Sequence, residues 1–310
     1  MKIAAFCHFY IPHCRGGAEI MLHEMLKSLA AAGHDVEVSV ADQGEGTYPV
    51  DGVRVHYGRK SVTLVKERAM SGKYDVIISH LKEYDRAFAI ARTSGTKLVQ
   101  VMHNDNGDSR ISHVLSADLT VFNTHWLRKS LGGKGLVVHP PVWPAEHRTK
   151  RGDHVTLVNL IPPKGCDLFY DLAARMPDVQ FLGVRGGYGR QVVQQLPNVT
   201  IQPTTGDMRN DVWSKTAVLL MPSEYESYGM VGVEALASGI PVIAHPTDGL
   251  RESLGDAGVF IDRKDVRSWE RELRTILAHP TIYREAAFER SAQIDTAGEM
   301  ATFVNTVESL

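Results

Sequence analysis

Short apolar runs alternate with amphipathic segments along almost the whole chain. In the first half, seven apolar runs are predicted as strands, and the segments between them have helical periodicity. One such segment, "AEIMLHEMLKSLAAAG", is apolar at helical spacing from Ile20 to Leu29 and is closed by Gly33. Strands that alternate with crossover helices form parallel sheets. The seven predicted strands are "KIAAFCHF", "DVEVSV", "VRVHY", "DVIISH", "KLVQVM", "DLTVFN" and "LVVHP".

A proline-rich stretch divides this pattern in two. "HPPVWPAEHRTKRGD", from His139 to Asp153, holds three prolines and a cluster of charges, which is typical of a linker. After it the alternation restarts, with predicted strands "HVTLVNLI", "VQFLGV", "VTIQP", "AVLLMP", "IPVIA" and "GVFI" and helices at or near Gly165, Arg190, Val212, Gly229 and Val266.

The fold class predicted from this pattern is α/β, with two tandem Rossmann-like, doubly wound domains and a cleft between them. The predicted domains are residues 1–140 and 141–295. The amphipathic segment 296–310 follows the last strand, and its composition allows it to pack back on the first domain. In doubly wound sheets ligands bind outside the carboxyl ends of the strands, so the chemistry is expected in the strand-to-helix loops.

Composition narrows the class of protein. A length of 310 residues suits two domains, and a formal net charge of −2 gives no reason to expect a stable complex with nucleic acid. The three cysteines, Cys7, Cys14 and Cys166, are too few for a disulfide scaffold and favour a reducing compartment. The sequence shows no apolar run long enough to span a bilayer and no signal-peptide pattern. We therefore predict a cytoplasmic protein without a transmembrane segment.

The most informative stretch is "MPSEYESYGMVGVEALASGIPVIAHPTDGLRESLGDAGVFI", Met221 to Ile261. It places Glu226 before a small-residue helix that begins near Gly229, and Glu234 inside that helix. A helix N-terminus suits a phosphate, and eight helical residues separate the two acids by about 12 Å. Taken singly, such glutamates are more often solvated surface groups. Together, however, the two carboxylates could hold the sugar and the ribose on either side of a diphosphate.

These residues resemble a known family. The glutamate pair with seven residues between its members, framed by "PSE" and "EALASGIPVIA", resembles the signature of retaining glycosyltransferases of family four, which have the two-domain GT-B fold. "RGGAE" is similar to the family's first-loop glycine pair, "PPKG" to its phosphate-binding lysine segment and "VMHN" to its first-domain histidine. The resemblance covers nearly the whole chain and implies that residues 1–140 form the acceptor side and 141–295 bind a nucleotide-sugar donor.

The resemblance also implies a role for individual residues. Glu226 would bind the transferred sugar, Glu234 the ribose, and Lys164 the departing diphosphate, while His103 would lie near the anomeric centre. The implied catalytic residues are Glu226, His103 and Lys164, and the implied substrate-binding residues are Gly16, Gly17, Lys164, Arg185, Glu226, Tyr228, Gly229, Met230, Val231 and Glu234. One position departs from the family: an arginine expected five residues before Lys164 is Asn159, for which Arg185 is the nearest substitute.

The implied reaction is a retaining transfer of a hexose from a nucleotide-diphosphate sugar, with no metal and no further cofactor. The sequence leaves the acceptor open among a glycan, a lipid, a protein, a small metabolite and a modified nucleobase. It also leaves open the donor's base and sugar.

Three alternatives stand beside this interpretation. A nucleotide-sugar epimerase or a non-catalytic binding protein would keep the same fold. A nicotinamide-dependent oxidoreductase is suggested by "QFLGVRGGYGRQ", although its glycines lack the G-x-G-x-x-G spacing. A zinc site in "FCHFYIPHCRGGAE" is disfavoured because Cys7 and His8 on one strand point to opposite faces.

Overall fold

The computed structural model describes residues 1–107, 109–110 and 116–310, which divide into two compact units. Unit 1 consists of Met1–Pro141 and Thr296–Leu310, and unit 2 consists of Val142–Asp295. The junction after Pro141 lies inside the proline-rich stretch.

Unit 1 is built on a sheet of eight strands in the order β3-β4-β2-β1-β5-β6-β7-β8. All neighbouring pairs are parallel except β3 with β4. The strands are β1 (Lys2–Cys7), β2 (Asp35–Val40), β3 (Gly46–Val50), β4 (Val53–Tyr57), β5 (Val76–His80), β6 (Lys97–Met102), β7 (Leu119–Phe122) and β8 (Leu136–Val137). The helices described in this unit are α1 (Gly17–Ala31), α2 (Arg59–Met70), α3 (Tyr84–Ser94), α4 (His125–Ser130) and the C-terminal helix Thr296–Glu308, with a 3-10 turn at Leu81–Glu83.

The central strands of unit 1 are buried on both faces, which explains their continuous apolar sequences. Every residue of β5 is buried, and so is every residue of β1 and β2 after the first. All seven predicted strands are present. The prediction missed β3, because "GTYPV" is an exposed antiparallel edge strand that contains a proline and lacks the apolar run on which the prediction relied.

The C-terminal helix, Thr296–Glu308, belongs to unit 1 and packs against α1. Nε2 of His34 lies 2.9 Å from Oε1 of Glu308. At the other end of the helix, Glu299 accepts a hydrogen bond from the backbone N–H of His139 at 2.6 Å and lies 2.7 Å from Nδ1 of the same residue. These contacts hold the C-terminal helix on unit 1.

Unit 2 is built on a parallel sheet of six strands in the order β11-β10-β9-β12-β13-β14. The strands are β9 (His154–Val158), β10 (Phe181–Val184), β11 (Val199–Gln202), β12 (Thr216–Met221), β13 (Val242–Ala244) and β14 (Gly258–Phe260). The helices are α5 (Pro144–His147), α6 (Cys166–Arg175), α7 (Met208–Asp211), α8 (Met230–Ala237), α9 (Asp248–Leu254), α10 (Val266–Ala278) and α11 (Pro280–Gln293), with 3-10 turns at Pro162–Lys164, Trp213–Lys215 and Gly255–Ala257.

The strand order of unit 2 is that of a Rossmann-like doubly wound sheet, in which the first strand in sequence lies beside the fourth. The order reverses between β9 and β12, and ligands bind such sheets at the carboxyl ends of the strands next to this switch point. The loops that follow β9 and β12 are therefore the place to look for a site in this unit.

The helix predicted near Arg190 is absent, and this prediction was wrong. Residues 185–198 form a loop, because glycines at 186, 187 and 189 remove side chains that would support a helix and the side chain of Gln191 bonds to backbone groups. A dinucleotide-binding loop needs a helix directly after its strand. The segment after β10 therefore lacks the structure that the oxidoreductase alternative requires.

Candidate functional site

Two loops meet at the switch point of unit 2: residues 159–165 after β9, and residues 222–229 after β12. The backbone N–H of Glu224 in the second loop donates to the carbonyl of Pro163 in the first, at 2.9 Å. Arg263 contacts both loops. Its Nη2 donates to the carbonyl of Pro162 at 3.2 Å, and its Nη1 lies 2.7 Å from Oε1 of Glu224. The loops thus form one connected structure.

Within this structure Lys164 and Glu226 contact each other directly. Nζ of Lys164 donates to Oε1 of Glu226, and the hydroxyl of Ser223 donates to the same oxygen at 3.0 Å. The two charged side chains are only 20% and 14% exposed. Both contacts use Oε1, so within the described residues the second oxygen, Oε2, is the one left for a ligand.

The ion pair controls the charge of Lys164. Burial alone would lower the pKa of this ammonium group, but the Glu226 carboxylate and a hydrogen bond with the hydroxyl of Tyr188 outweigh the burial, and the net pKa is raised. Lys164 therefore stays cationic at neutral pH although it is largely buried. A fixed cation in a partly dry site stabilises negative charge more strongly than one in water.

The backbone beside Lys164 depends on Gly165. This residue has a φ of +82°, and a Cβ added to it would lie 2.8 Å from Cβ of Pro222 and closer still to its Cγ. Only glycine combines the left-handed conformation with such an approach. The close packing of Gly165 on Pro222 fixes the first loop against the second.

Gly165→Ala is expected to lower the unfolding free energy of the protein by about 2 kcal/mol, because alanine adds left-handed strain and overlap with Pro222. Denaturant titration would measure this change. Gly187→Ala is the control, because a Cβ there meets nothing within 4 Å, and its effect should stay within about 0.5 kcal/mol. Equal stability of the two variants would show that the Gly165 turn is not tightly fixed.

Helix α8 begins directly after Gly229, four residues beyond Glu226. Gly229 has a φ of +84° and precedes the helix, and the N–H of Gly232 donates back to its carbonyl at 2.9 Å. The N–H groups at the start of a helix have no partner within the helix, and they bind anions. The predicted phosphate-binding residues Gly229, Met230 and Val231 lie at this helix start and are partly exposed.

Glu234 lies deeper, on the inner side of α8, with 8% of its side chain exposed. Its Oε2 accepts a hydrogen bond from the indole N–H of Trp213 at 3.3 Å and lies 3.8 Å from Nδ1 of His147. Burial lowers the pKa of His147 to about 4, so this imidazole is neutral at pH 7 and does not form an ion pair there. The buried acid has the partner that its apolar surroundings require.

The residues around Asn159 show what replaces the family's arginine. Asn159, itself buried, accepts a hydrogen bond from Nε2 of Gln191 at 2.8 Å. Oε1 of Gln191 accepts from the N–H groups of Leu160 and Gly186, both at 2.9 Å. The position expected to hold a second cation is therefore a neutral hydrogen-bond network that fixes the loop after β10. Arg185, the proposed substitute, is exposed at the end of β10.

The remaining predicted residues are spread more widely. Tyr228 is 3% exposed, and its side chain lies in a hydrophobic cluster with Val142 and Val233. In unit 1, Gly16 precedes α1 and Gly17 begins it, and His103 follows β6 with 6% exposure.

Four residues of the unit 2 site were missed from the sequence: Ser223, Arg263, Gln191 and Tyr188. Ser223 stands inside the "PSE" motif and could have been found from it. The other three are far from this motif in sequence, and they lie near it only because the strand order places their loops side by side.

Two family models match this chain. Residues 16–159 match the family model "Glycosyl transferase 4-like domain", and residues 154–279 match "Glycosyl transferases group 1". Both models describe glycosyltransferase domains, and between them they cover residues 16–279. Together with the fold, the matches support a GT4-type glycosyltransferase.

Curated relatives carry a glycosyltransferase name as well. D-inositol 3-phosphate glycosyltransferase of Mycobacterium sp. (strain KMS) is 31% identical over 44% of this chain and 35% of the relative. The protein of the same name from Nocardioides sp. (strain ATCC BAA-499 / JS614) is 27% identical over 84% of this chain and 78% of the relative. The match thus spans about a third of the length of the mycobacterial relative.

Solved structures show the same fold. HepE of Anabaena, crystallised with UDP-glucose, has a TM-score of 0.83 and 18% identity over 100% of both chains. Sucrose-phosphate synthase of Thermosynechococcus elongatus has a TM-score of 0.79 and 17% identity over 99% of this chain and 98% of that one. The predicted GT-B fold is confirmed. Within the described residues, the helices are too short or too polar to cross a membrane.

Proposed function

We propose that this chain transfers a sugar from a nucleotide-diphosphate sugar to an acceptor, with retention of configuration and without a metal or further cofactor. The observation that carries the proposal is the contact of Lys164 with Glu226 at the switch point of unit 2, directly before the N-terminus of α8. A cation, a carboxylate and the N–H groups of a helix start, which two neighbouring loops bring together, suit a diphosphate joined to a hydroxyl-rich sugar.

The proposed roles follow from charge. The diphosphate becomes more negative as it departs, and the ammonium of Lys164 and the N–H groups at the start of α8 stabilise that charge. Oε2 of Glu226 accepts hydrogen bonds from sugar hydroxyls, while Oε1 holds Lys164. The bond between the anomeric carbon and the phosphate oxygen breaks, the acceptor oxygen bonds to the same face of that carbon, and the acceptor proton passes to the departing phosphate oxygen. No protein carboxylate has to act as nucleophile.

The donor is proposed to be a nucleotide sugar because the relatives are named as glycosyltransferases and HepE was crystallised with UDP-glucose. Glu234 is proposed to bind the ribose. With 8% of its side chain exposed and Trp213 bonded to Oε2, it offers a ligand only a narrow approach. Three free cysteines support a reducing, cytoplasmic compartment as part of the proposal.

The test is an incubation of the full chain with UDP-, GDP-, ADP- and dTDP-sugars and a panel of neutral and phosphorylated polyol acceptors, with and without EDTA, followed by NMR of the glycoside formed. We expect release of one nucleoside diphosphate, an unchanged rate in EDTA and a product that keeps the donor's anomeric configuration. Activity lost in EDTA and restored by a divalent ion would contradict metal independence. Conversion of the donor sugar to its epimer would contradict glycosyl transfer and support the epimerase alternative.

A further inference from the structure

Three histidines meet at the switch point of the sheet in unit 1. The strand order reverses between β1 and β5; His8 follows β1, His80 ends β5, and His103 follows the next strand, β6. The ring centroids of His8 and His80 are 6.5 Å apart, and those of His80 and His103 are 4.7 Å apart. This is the position at which a doubly wound sheet binds its ligand.

Each ring has a buried nitrogen without a hydrogen-bond partner among the described residues. These atoms are Nδ1 of His8, Nδ1 of His80 and Nε2 of His103, and the three residues are 8%, 0% and 6% exposed. Buried polar atoms in folded proteins nearly always have a partner, so an unpaired set at one place indicates a missing ligand or water.

The chemistry of the missing partner follows from His80. Its Nε2 lies 3.2 Å from the carbonyl oxygen of Ala18, which can only accept, so Nε2 carries the proton. In the neutral ring Nδ1 is then a bare lone pair. Burial lowers the pKa of all three histidines, that of His103 to about 4, so the rings are uncharged at neutral pH. A bare lone pair needs an O–H or N–H donor, and an anionic oxygen would be repelled.

An aromatic surface completes the site. The ring of Phe9 is 39% exposed, and its centroid lies 4.7 Å from that of His8. An exposed ring beside neutral hydrogen-bonding groups suits a ligand with an apolar face and hydroxyls at its edge. A metal ion is a poorer fit, since within the described residues the three rings do not form a convergent set of metal ligands.

We propose that His8, His80 and His103, with Phe9, bind an uncharged polyol or sugar acceptor, a hydroxyl of which donates to Nδ1 of His80. This inference rests on the proposed function and names the acceptor class for it. It differs from the acceptor in the name of the relatives, which carries a phosphate.

The test uses the full chain labelled with ¹⁵N-histidine and probes it with glycerol, mannitol, myo-inositol and methyl glucoside, and with D-inositol 3-phosphate as the anionic counterpart. We expect at least one neutral polyol to bind, to receive saturation transfer from the Phe9 ring and to shift the unprotonated nitrogen of His80 upfield. His80→Gln should weaken this binding about tenfold, the worth of one buried hydrogen bond. Phe9→Ala, at an exposed position, should weaken it without loss of fold.

His23→Gln is the matched control. His23 is 3% exposed in the same unit, but both of its nitrogens are engaged, by the Tyr10 hydroxyl at 2.8 Å and by Asp51 at 3.0 Å. It should leave polyol affinity within twofold. The inference is overturned if none of the neutral polyols binds, if D-inositol 3-phosphate binds more tightly, or if added Zn²⁺ occupies the ring nitrogens. Binding of nucleoside diphosphate, measured on the same samples, separates these outcomes from a failure of the proposed function.

Discussion

Glu226→Gln is expected to lower the turnover of glycosyl transfer by about 100- to 1000-fold, the range seen when one donor or acceptor for the transition state is removed. The amide keeps the size of the side chain but loses the charge that holds Lys164 in place. Without the Glu226 carboxylate, burial becomes the larger influence on the ammonium group of Lys164. The pKa of Lys164 therefore falls relative to its value in the wild type. Initial-rate measurements with saturating nucleotide sugar would show the loss in turnover.

A matched variant two residues away separates this role from damage to the loop. Glu224→Gln removes an acid from the same loop, but its side chain is 63% exposed, whereas its partner Arg263 is only 14% exposed. Because the exposed carboxylate keeps most of its hydration, the pair should contribute about 1 kcal/mol or less, and turnover should fall by no more than about fivefold. Equal turnover of Glu226→Gln and the wild type would remove Glu226 from the mechanism. In addition, Lys164→Met combined with Glu226→Gln should be far from additive, because the two side chains act as one pair.

The sequence predicted the strands and the main loops of the site because both follow from local patterns. Strands buried on two faces are continuous apolar runs, and the runs that give β9 and β12 end at the loops holding Lys164 and Glu226. The carboxyl ends of neighbouring parallel strands lie at the same edge of the sheet, so Lys164 and Glu226 can make contact although they are 62 positions apart in the sequence.

What the sequence could not predict depends on which strands are neighbours. His8 and His103 were considered separately, the first in a zinc site that the sequence disfavours and the second as a catalytic group, because only the order β1-β5-β6 brings them to His80. A helix was predicted near Arg190, where the structure has a loop, because the local sequence pattern gives no sign that Gln191 bonds to Asn159 and Leu160. Hydrogen bonds between side chains far apart in sequence cannot be recognised from the local spacing of apolar residues.

Glu37→Gln is expected to lower the unfolding free energy of unit 1 by about 3 kcal/mol at pH 7. Glu37 is buried on β2, where its carboxylate accepts hydrogen bonds from His56 and Arg68, both at 2.6 Å, and from the hydroxyl of Tyr74. Burial would raise the pKa of Glu37, but these bonds outweigh it and lower the pKa from 4.5 to about 2. One pKa unit corresponds to about 1.4 kcal/mol, so the shift corresponds to about 3 kcal/mol.

The direction of the pKa shift of Glu37 determines the pH range in which this stabilisation is lost. Because the pKa of Glu37 is lower in the folded protein than in the unfolded chain, the stabilisation is complete above about pH 4.5 and is lost as the pH falls towards 2. Denaturant titrations between pH 7 and pH 2.5 should therefore show a steeper acid-side loss of stability in the wild type than in Glu37→Gln. Asp35→Asn is the control, since Asp35 stands two residues earlier on β2 in a half-exposed pair with Arg54 at 3.5 Å and should contribute about 1 kcal/mol or less. Parallel pH profiles for the wild type and Glu37→Gln would show that the buried carboxylate is not the group that stabilises unit 1.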